Sequence, residues 1–485
     1  MHYLVIDLTH GGVKIAISLA KKGKIVHAYD IYGTLKPLDR EMMEVYGIDI
    51  MDLDSLKNLK GDICVISPIH SPLSEDEIER CNPDLNYTFL THHQAVGKIL
   101  ESWGDDILKI EVTGVKGKTS SVFMLKEILI DENPLILSSL GALLYEDEKE
   151  FVLKRNISIT PANIKETVDL AYKIANPVCL IADGRAKSEN LKKYNSAIFE
   201  SSLGCCGIGD IGLLTNIAED HLSEFGGSLE KYQQRKLVLQ AMSEIFISND
   251  SCRDIIEKVR SDAIYYALDK DVDFKGTAGD KSLTIKSEND EFTTPFNMMS
   301  YFFENSVAAS AVALTYGVDK KDIIDALTVF KGLPAHMEDV GDYNGRKVIL
   351  DSAFLYDGMK ITLDYFKDES VVLFLDHFDT LSVRDKAEVG ELVSNYDIKV
   401  VIASGFNEVT QEVEMEAAQE ILDAITNPNI EKVAVENIEI AACETFRYSK
   451  PGDIILHMGP LIAYDRLTTV EKIMKGLDEG SKKYE

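Results

Sequence analysis

Short apolar runs rich in β-branched residues alternate along the chain with longer stretches whose apolar positions recur every three or four residues. That alternation predicts an α/β protein built on largely parallel sheets. Positions 3–6, 25–29 and 63–66 read as buried strands, with a helix over 13–22 and a further extended segment at 87–90. Positions 108–112 read as a strand and 121–130 as the helix after it. Beyond them, strands are expected at 197–201, 212–216 and 244–248, with helices at 165–175, around Lys236 and at 305–316. The last third repeats the pattern, with strands at 348–351, 371–376, 400–404 and 452–456. Such a chain is too long for one core. The pattern divides it into an N-terminal Rossmann-like domain (1–107), a central nucleotide-binding domain (108–330) and a C-terminal Rossmann-like domain (331–485).

Between the strand at 108–112 and its helix lies Thr113-Gly114-Val115-Lys116-Gly117-Lys118-Thr119-Ser120. Glycines at such a turn let backbone N–H groups approach phosphate oxygens, and the helix N-terminus adds a positive partial charge. Lys118 can then reach the β- and γ-phosphates of a nucleotide, while the Thr119 hydroxyl can ligate Mg²⁺. The spacing G-x-x-G-K-T is two residues shorter than the usual phosphate-binding loop. A nucleotide with Mg²⁺ is therefore the expected guest.

Composition narrows the partners. A net charge of −30 and a pI near 4.7 repel nucleic acid and anionic membranes. A nucleotide must then be met by local Lys, Mg²⁺ and helix N-termini against the global field. The seven cysteines are odd in number and lack a C-x-x-C pair, which fits reduced thiols. With no apolar run of membrane-spanning length and no leader-like start, a soluble cytoplasmic protein is expected. Oligomeric state is not legible. The opening β-α-β with Gly11, Gly12 and the acid Asp30 imitates a dinucleotide fingerprint, but the third packing glycine is missing, so NAD binding is disfavoured.

The short loop and the motifs after it resemble the Mur ligase superfamily, ATP-dependent ligases that activate a carboxylate as an acyl phosphate. Thr160-Pro161, Phe199-Glu200-Ser201-Ser202, Thr215-Asn216-Ile217-Ala218-Glu219-Asp220-His221 and the segment Tyr232 to Lys236 follow the family's order. The resemblance implies that Glu200 and His221 ligate a second Mg²⁺, and that Lys236, as a carbamate, joins them. It also implies nucleotide contacts from Asn305, in Asn305-Ser306-Val307-Ala308-Ala309, and from Asp351. In the C-terminal domain the family's pattern is eroded. His336 replaces an arginine, and Asp351-Ser352-Ala353-Phe354 keeps only the acid, which argues against a cell-wall amino acid as nucleophile.

Residues 1–220 are denser in likeness to a methanogen branch, the coenzyme F-430 synthases. Asp7-Leu8-Thr9-His10-Gly11-Gly12, Ser67-Pro68-Ile69-His70, Thr91-His92-His93 and Val112 to Thr119 all resemble it. That branch cyclises a propionate of a nickel tetrapyrrole seco-acid, which becomes the expected substrate. A Mur-type peptide ligase with an amine nucleophile, as for pseudomurein, is the alternative, and an ATP-hydrolysing switch is a second one. His10, His70, His92 and His93 are expected at loop positions after strands, where they could form a shared ligand surface or approach nickel axially.

Overall fold

The computed structural model describes residues 1–175, 194–217, 229–296, 299–354, 356–377, 383–407, 410–459 and 466–484. The chain forms two compact units, Met1–Phe330 and Lys331–Glu485. It is a mixed α/β protein, as the apolar pattern predicts. No helix among the described residues is long and apolar enough to cross a membrane.

The first unit holds two sheets. One has five parallel strands in the order Asp49–Ile50, Ile25–Tyr29, His2–Ile6, Asp62–Ser67, Asn86–Thr91. Its alternation decides which residues face which core. Leu4, Ile6, Ile63 and Val65 pack with Leu56, Ile78 and Leu85 on one side. Val5, Cys64 and Ile66 fall on the other side, in a core that also takes in Ala197 and Phe199 of the second sheet. Each buried aliphatic side chain there contributes about 1.5–3 kcal/mol, so this shared core holds the two sheets together.

The second sheet has eleven strands. Its centre runs Ile245–Asn249, Ile211–Leu214, Leu108–Thr113, Ser196–Glu200, Leu135–Ser138, all parallel. Both edges depart from the expected strand–helix alternation. Gly141–Glu146 and Lys149–Lys154 extend one edge, and Ser282–Lys286 and Glu291–Pro295 the other, as antiparallel strands. Gly141–Glu146 is itself a buried apolar run, but Lys149–Lys154 is largely exposed and Ser282–Lys286 and Glu291–Pro295 bury only every second residue, which leaves little for a sequence pattern to catch. Glu111, fully buried in the central strand, accepts hydrogen bonds from the amides of Cys206, Gly207, Ile208 and Gly209 at 2.6–3.0 Å. That carboxylate satisfies four backbone donors at once and fixes the loop that follows Glu200. Burial pushes its pKa up against those bonds.

The second unit is built on six strands in the order Glu338–Tyr343, Arg346–Asp351, Ile454–Met458, Val371–Leu375, Ile398–Ser404, Glu431–Val435, the first pair antiparallel and the rest parallel. Val348, Leu350, Phe374 and Ile455 form its core with Ala441, Phe446 and Leu477.

Candidate active site

The phosphate-binding loop leaves the C-terminal end of Leu108–Thr113, and the helix Lys118–Ile128 begins directly after it. Two glycines make the turn possible. Gly114 holds φ 130° and Gly117 holds φ 87°, values that suit residues without a Cβ. A Cβ at Gly114 would collide with the Thr215 hydroxyl, and one at Gly117 with the Asn305 amide oxygen. Asn305 stands in the helix Phe303–Tyr316 and is buried. Asn216 braces the loop: its side-chain oxygen accepts from the amides of Val115 and Lys116, both at 2.9 Å, and its side-chain nitrogen donates to the Lys116 carbonyl at 3.0 Å. Lys116 itself lies over the Tyr301 ring, 5.5 Å from its centroid.

Lys118, Thr119 and Ser120 form the first turn of the helix, and Thr119 and Ser120 are buried. Glu200 ends the neighbouring strand, its backbone paired with Val112, and is 2% exposed. Its carboxylate accepts from the Thr119 hydroxyl at 3.1 Å and from the Ser139 amide at 3.0 Å. The Lys118 ammonium lies 3.8 Å away and donates to the Val115 carbonyl at 3.2 Å. Burial lowers the Lys118 pKa, with Glu200 pulling the other way. A lysine, a hydroxyl and a carboxylate thus converge on the helix N-terminus, the donor set that a Mg²⁺-bound triphosphate needs.

Lys236 comes from the helix Leu229–Gln240 and is buried. It lines one small pocket with Thr113, Gly114, Val115, Asn216 and Gln240. Burial lowers its pKa to about 8. The Thr113 hydroxyl, in the same pocket, is buried and finds no partner among the described residues. An orphaned hydroxyl, a turn that admits no Cβ and a desolvated amine fit a polar, anionic guest.

His221 lies outside the described residues. Asp351 belongs to the second unit, where it accepts from the Met337 amide at 3.2 Å and the Thr362 hydroxyl at 2.5 Å. Asp30 is taken by its own turn, accepting from the amides of Thr34 and Leu35, which leaves it in no position to wait for a ribose.

The histidines divide. His92 and His93 are the first residues of the helix His92–Leu100 and are buried, so the expectation of loop positions fails for them. His92 bonds the Ile6 carbonyl at 3.0 Å and His93 the Ser202 carbonyl at 2.8 Å. Burial lowers both pKa values to about 4. The physical reason is the capping box at Thr91 and Gln94, which starts a helix where the strand ends. His10 and His70 stay partly exposed, beside Asp7.

Asn216 enters the sequence reading only within the Thr215-to-His221 motif, without a role of its own, and Ser139 not at all. The Thr-Asn pair directly after a strand is a signal for the first; nothing local marks Ser139.

The Mur ligase middle domain model matches residues 112–313. The chain is 30% identical over 370 residues to a coenzyme F(430) synthetase of Methanosarcina acetivorans, covering 69% of this chain and 73% of that one. It is 23% identical over 478 residues to a UDP-N-acetylmuramate–L-alanine ligase of Caldicellulosiruptor bescii, covering 93% and 94%. Among solved structures, a pseudomurein peptide ligase type C from Methanothermus fervidus superposes with a TM-score of 0.55 at 17% identity, covering 97% of this chain and 99% of that one. The phosphate-binding loop, its carboxylate partner and these matches agree: the chain belongs to the Mur ligase family and is an ATP-dependent ligase.

Proposed function

We propose that the chain phosphorylates a propionate of a nickel tetrapyrrole seco-acid and closes a carbocyclic ring on it. A carboxylate is inert to attack because oxide would have to leave; an acyl phosphate loses phosphate readily. In the second step a ring carbon bonds to the acyl carbon, the acyl C–O bond to phosphate breaks, and the carbon gives up a proton. The observation carrying this reading is the 30% identity to the coenzyme F(430) synthetase, against 23% to the muramate–alanine ligase.

Lys118 and the loop amides of Gly114, Gly117 and Ser120 hold the phosphates in this reading, next to Thr113 and Asn305. Thr119 holds one Mg²⁺, and Glu200, His221 and a carbamylated Lys236 a second. Such ions neutralise charge developing on the transferred phosphoryl group. Carbamylation needs a neutral amine to attack CO₂. Burial that lowers the Lys236 pKa to about 8 leaves far more of it neutral at neutral pH than an exposed lysine would be.

A peptide ligase with an amine nucleophile is the second reading, favoured by sequence likeness over 93% of the chain to the muramate–alanine ligase. ADP release separates the two. The nickel seco-acid should stimulate it, and UDP-linked peptides with amino acids should leave it at background. The reverse pattern would move the chain to the peptide ligases.

A further inference from the structure

Asp7, His10 and His70 bring one carboxylate oxygen and two imidazole nitrogens within 4.8 Å of one another. Asp7 follows the strand His2–Ile6, and His70 follows its neighbour Asp62–Ser67. From His2–Ile6 the sheet builds outward through Ile25–Tyr29 to Asp49–Ile50; from Asp62–Ser67 it builds the other way, to Asn86–Thr91. Such a reversal of strand order leaves a crevice at the carboxyl ends of the two central strands.

Asp7 is fully buried and holds φ 70°, a region that residues with a Cβ rarely enter. Its Oδ1 accepts from the amides of Thr9 at 2.9 Å and His10 at 3.1 Å. That leaves Oδ2 to the imidazoles: His10 Nδ1 at 2.7 Å and His70 Nε2 at 3.9 Å. The two rings stand edge to face with centroids 5.0 Å apart. A hydrogen-bonded Asp–His pair would require His10 alone. His70 lies beyond hydrogen-bond distance of Asp7, yet its packing on the His10 ring brings a second imidazole nitrogen to 3.9 Å from the same oxygen.

We propose that Asp7 Oδ2, His10 and His70 bind a divalent late first-row transition ion of the Zn²⁺ and Ni²⁺ class. Two imidazoles with one carboxylate suit those ions and not Mg²⁺, which prefers oxygen ligands and retained water. Ligand atoms around a tetrahedral Zn²⁺ sit about 3.3 Å apart. His10 must therefore back away from Asp7 by a few tenths of an ångström and His70 approach it by about as much, while the two imidazole nitrogens, within 4.8 Å of one another, close to the same separation by side-chain rotation. The His10 side chain is 46% exposed, so remaining coordination positions open to the crevice. Three convergent atoms match a free ion, which makes this site independent of the substrate reading above.

The test titrates metal-stripped, full-length protein calorimetrically with Zn²⁺ and, separately, Ni²⁺, with millimolar Mg²⁺ present throughout. One ion of either kind per chain is expected at micromolar affinity or better. His10→Ala and His70→Ala should each weaken binding by more than the roughly 10- to 100-fold that loss of an outer-shell partner costs, with melting curves showing both variants folded. His2→Ala, which breaks the His2–His27 pair at the other end of the same sheet, should leave binding unchanged. Absence of stoichiometric binding, or binding that survives both crevice substitutions, would overturn the proposal. So would loss of binding in His2→Ala alone.

Discussion

Lys118 is mostly buried against the Glu200 carboxylate, so its charge serves a guest more than the core. Lys118→Ala should keep the melting temperature while lowering substrate-dependent ADP release by roughly 100-fold or more, the effect of losing about 3 kcal/mol of transition-state stabilisation. Near-normal turnover would remove the lysine from the phosphate site. Lys236→Ala should be equally inactive, and short carboxylates such as acetate should partly restore it by standing in for the carbamate. Rescue by no carboxylate, with full activity in CO₂-depleted buffer for the native chain, would argue against carbamylation. The sequence disclosed these two lysines unequally. Lys118 is legible from its own neighbours, because Gly-Lys-Thr between a strand and a helix is a local chemical pattern. Lys236 sits in Glu230-Lys231-Tyr232-Gln233-Gln234-Arg235-Lys236, which looks like a solvated helix face, and only a family resemblance singled it out. Its burial comes from tertiary packing that no local pattern encodes.

At the scale of elements, the loop and the helix Phe303–Tyr316 are matched to one another. Gly117→Ala forces a Cβ onto Asn305 at a positive φ, and should cost about 1–3 kcal/mol of stability in denaturant unfolding. Combining it with Asn305→Ala should cost less than the two changes summed, since the collision disappears. Strict additivity would mean that the strain lies in the backbone alone. Most central strands are legible because buried parallel strands are continuous apolar runs: 25–29 matches the expected span and Leu108–Thr113 lies within one residue of it, while the four-residue Leu135–Ser138 is not among those expected. The outermost antiparallel strands are not, since Lys149–Lys154 mixes charged and apolar residues and is largely exposed, and Glu291–Pro295 buries only every second residue. Ser139 sits in the turn leading to one of those edges, between Leu135–Ser138 and Gly141–Glu146, which is why half of the Glu200 environment went unseen.

For the molecule as a whole, His92 and His93 couple folding to pH. Both are buried neutral, with pKa values near 4 against about 6.5 in the unfolded chain. Between those values the unfolded state binds more protons, so stability rises with pH there. The first unit should be at full strength above pH 6.5 and should weaken as pH falls toward 4, by up to about 1.4 kcal/mol per pH unit for each histidine. Urea midpoints across that range check it, and His92→Gln should flatten the slope. An unchanged slope would mean that the two rings are solvated. Because His92 holds the end of His2–Ile6 and His93 holds Ser202, two residues past Glu200, the same transition should loosen the join between the two sheets of the unit.

Mass spectrometry of the nickel seco-acid incubated with the protein, ATP and Mg²⁺ bears on the central claim most directly. A product lighter by one water, formed in step with an equal amount of ADP, is the expected result. An unchanged seco-acid, together with an amide product when a UDP-linked peptide and an amino acid are supplied, would contradict it.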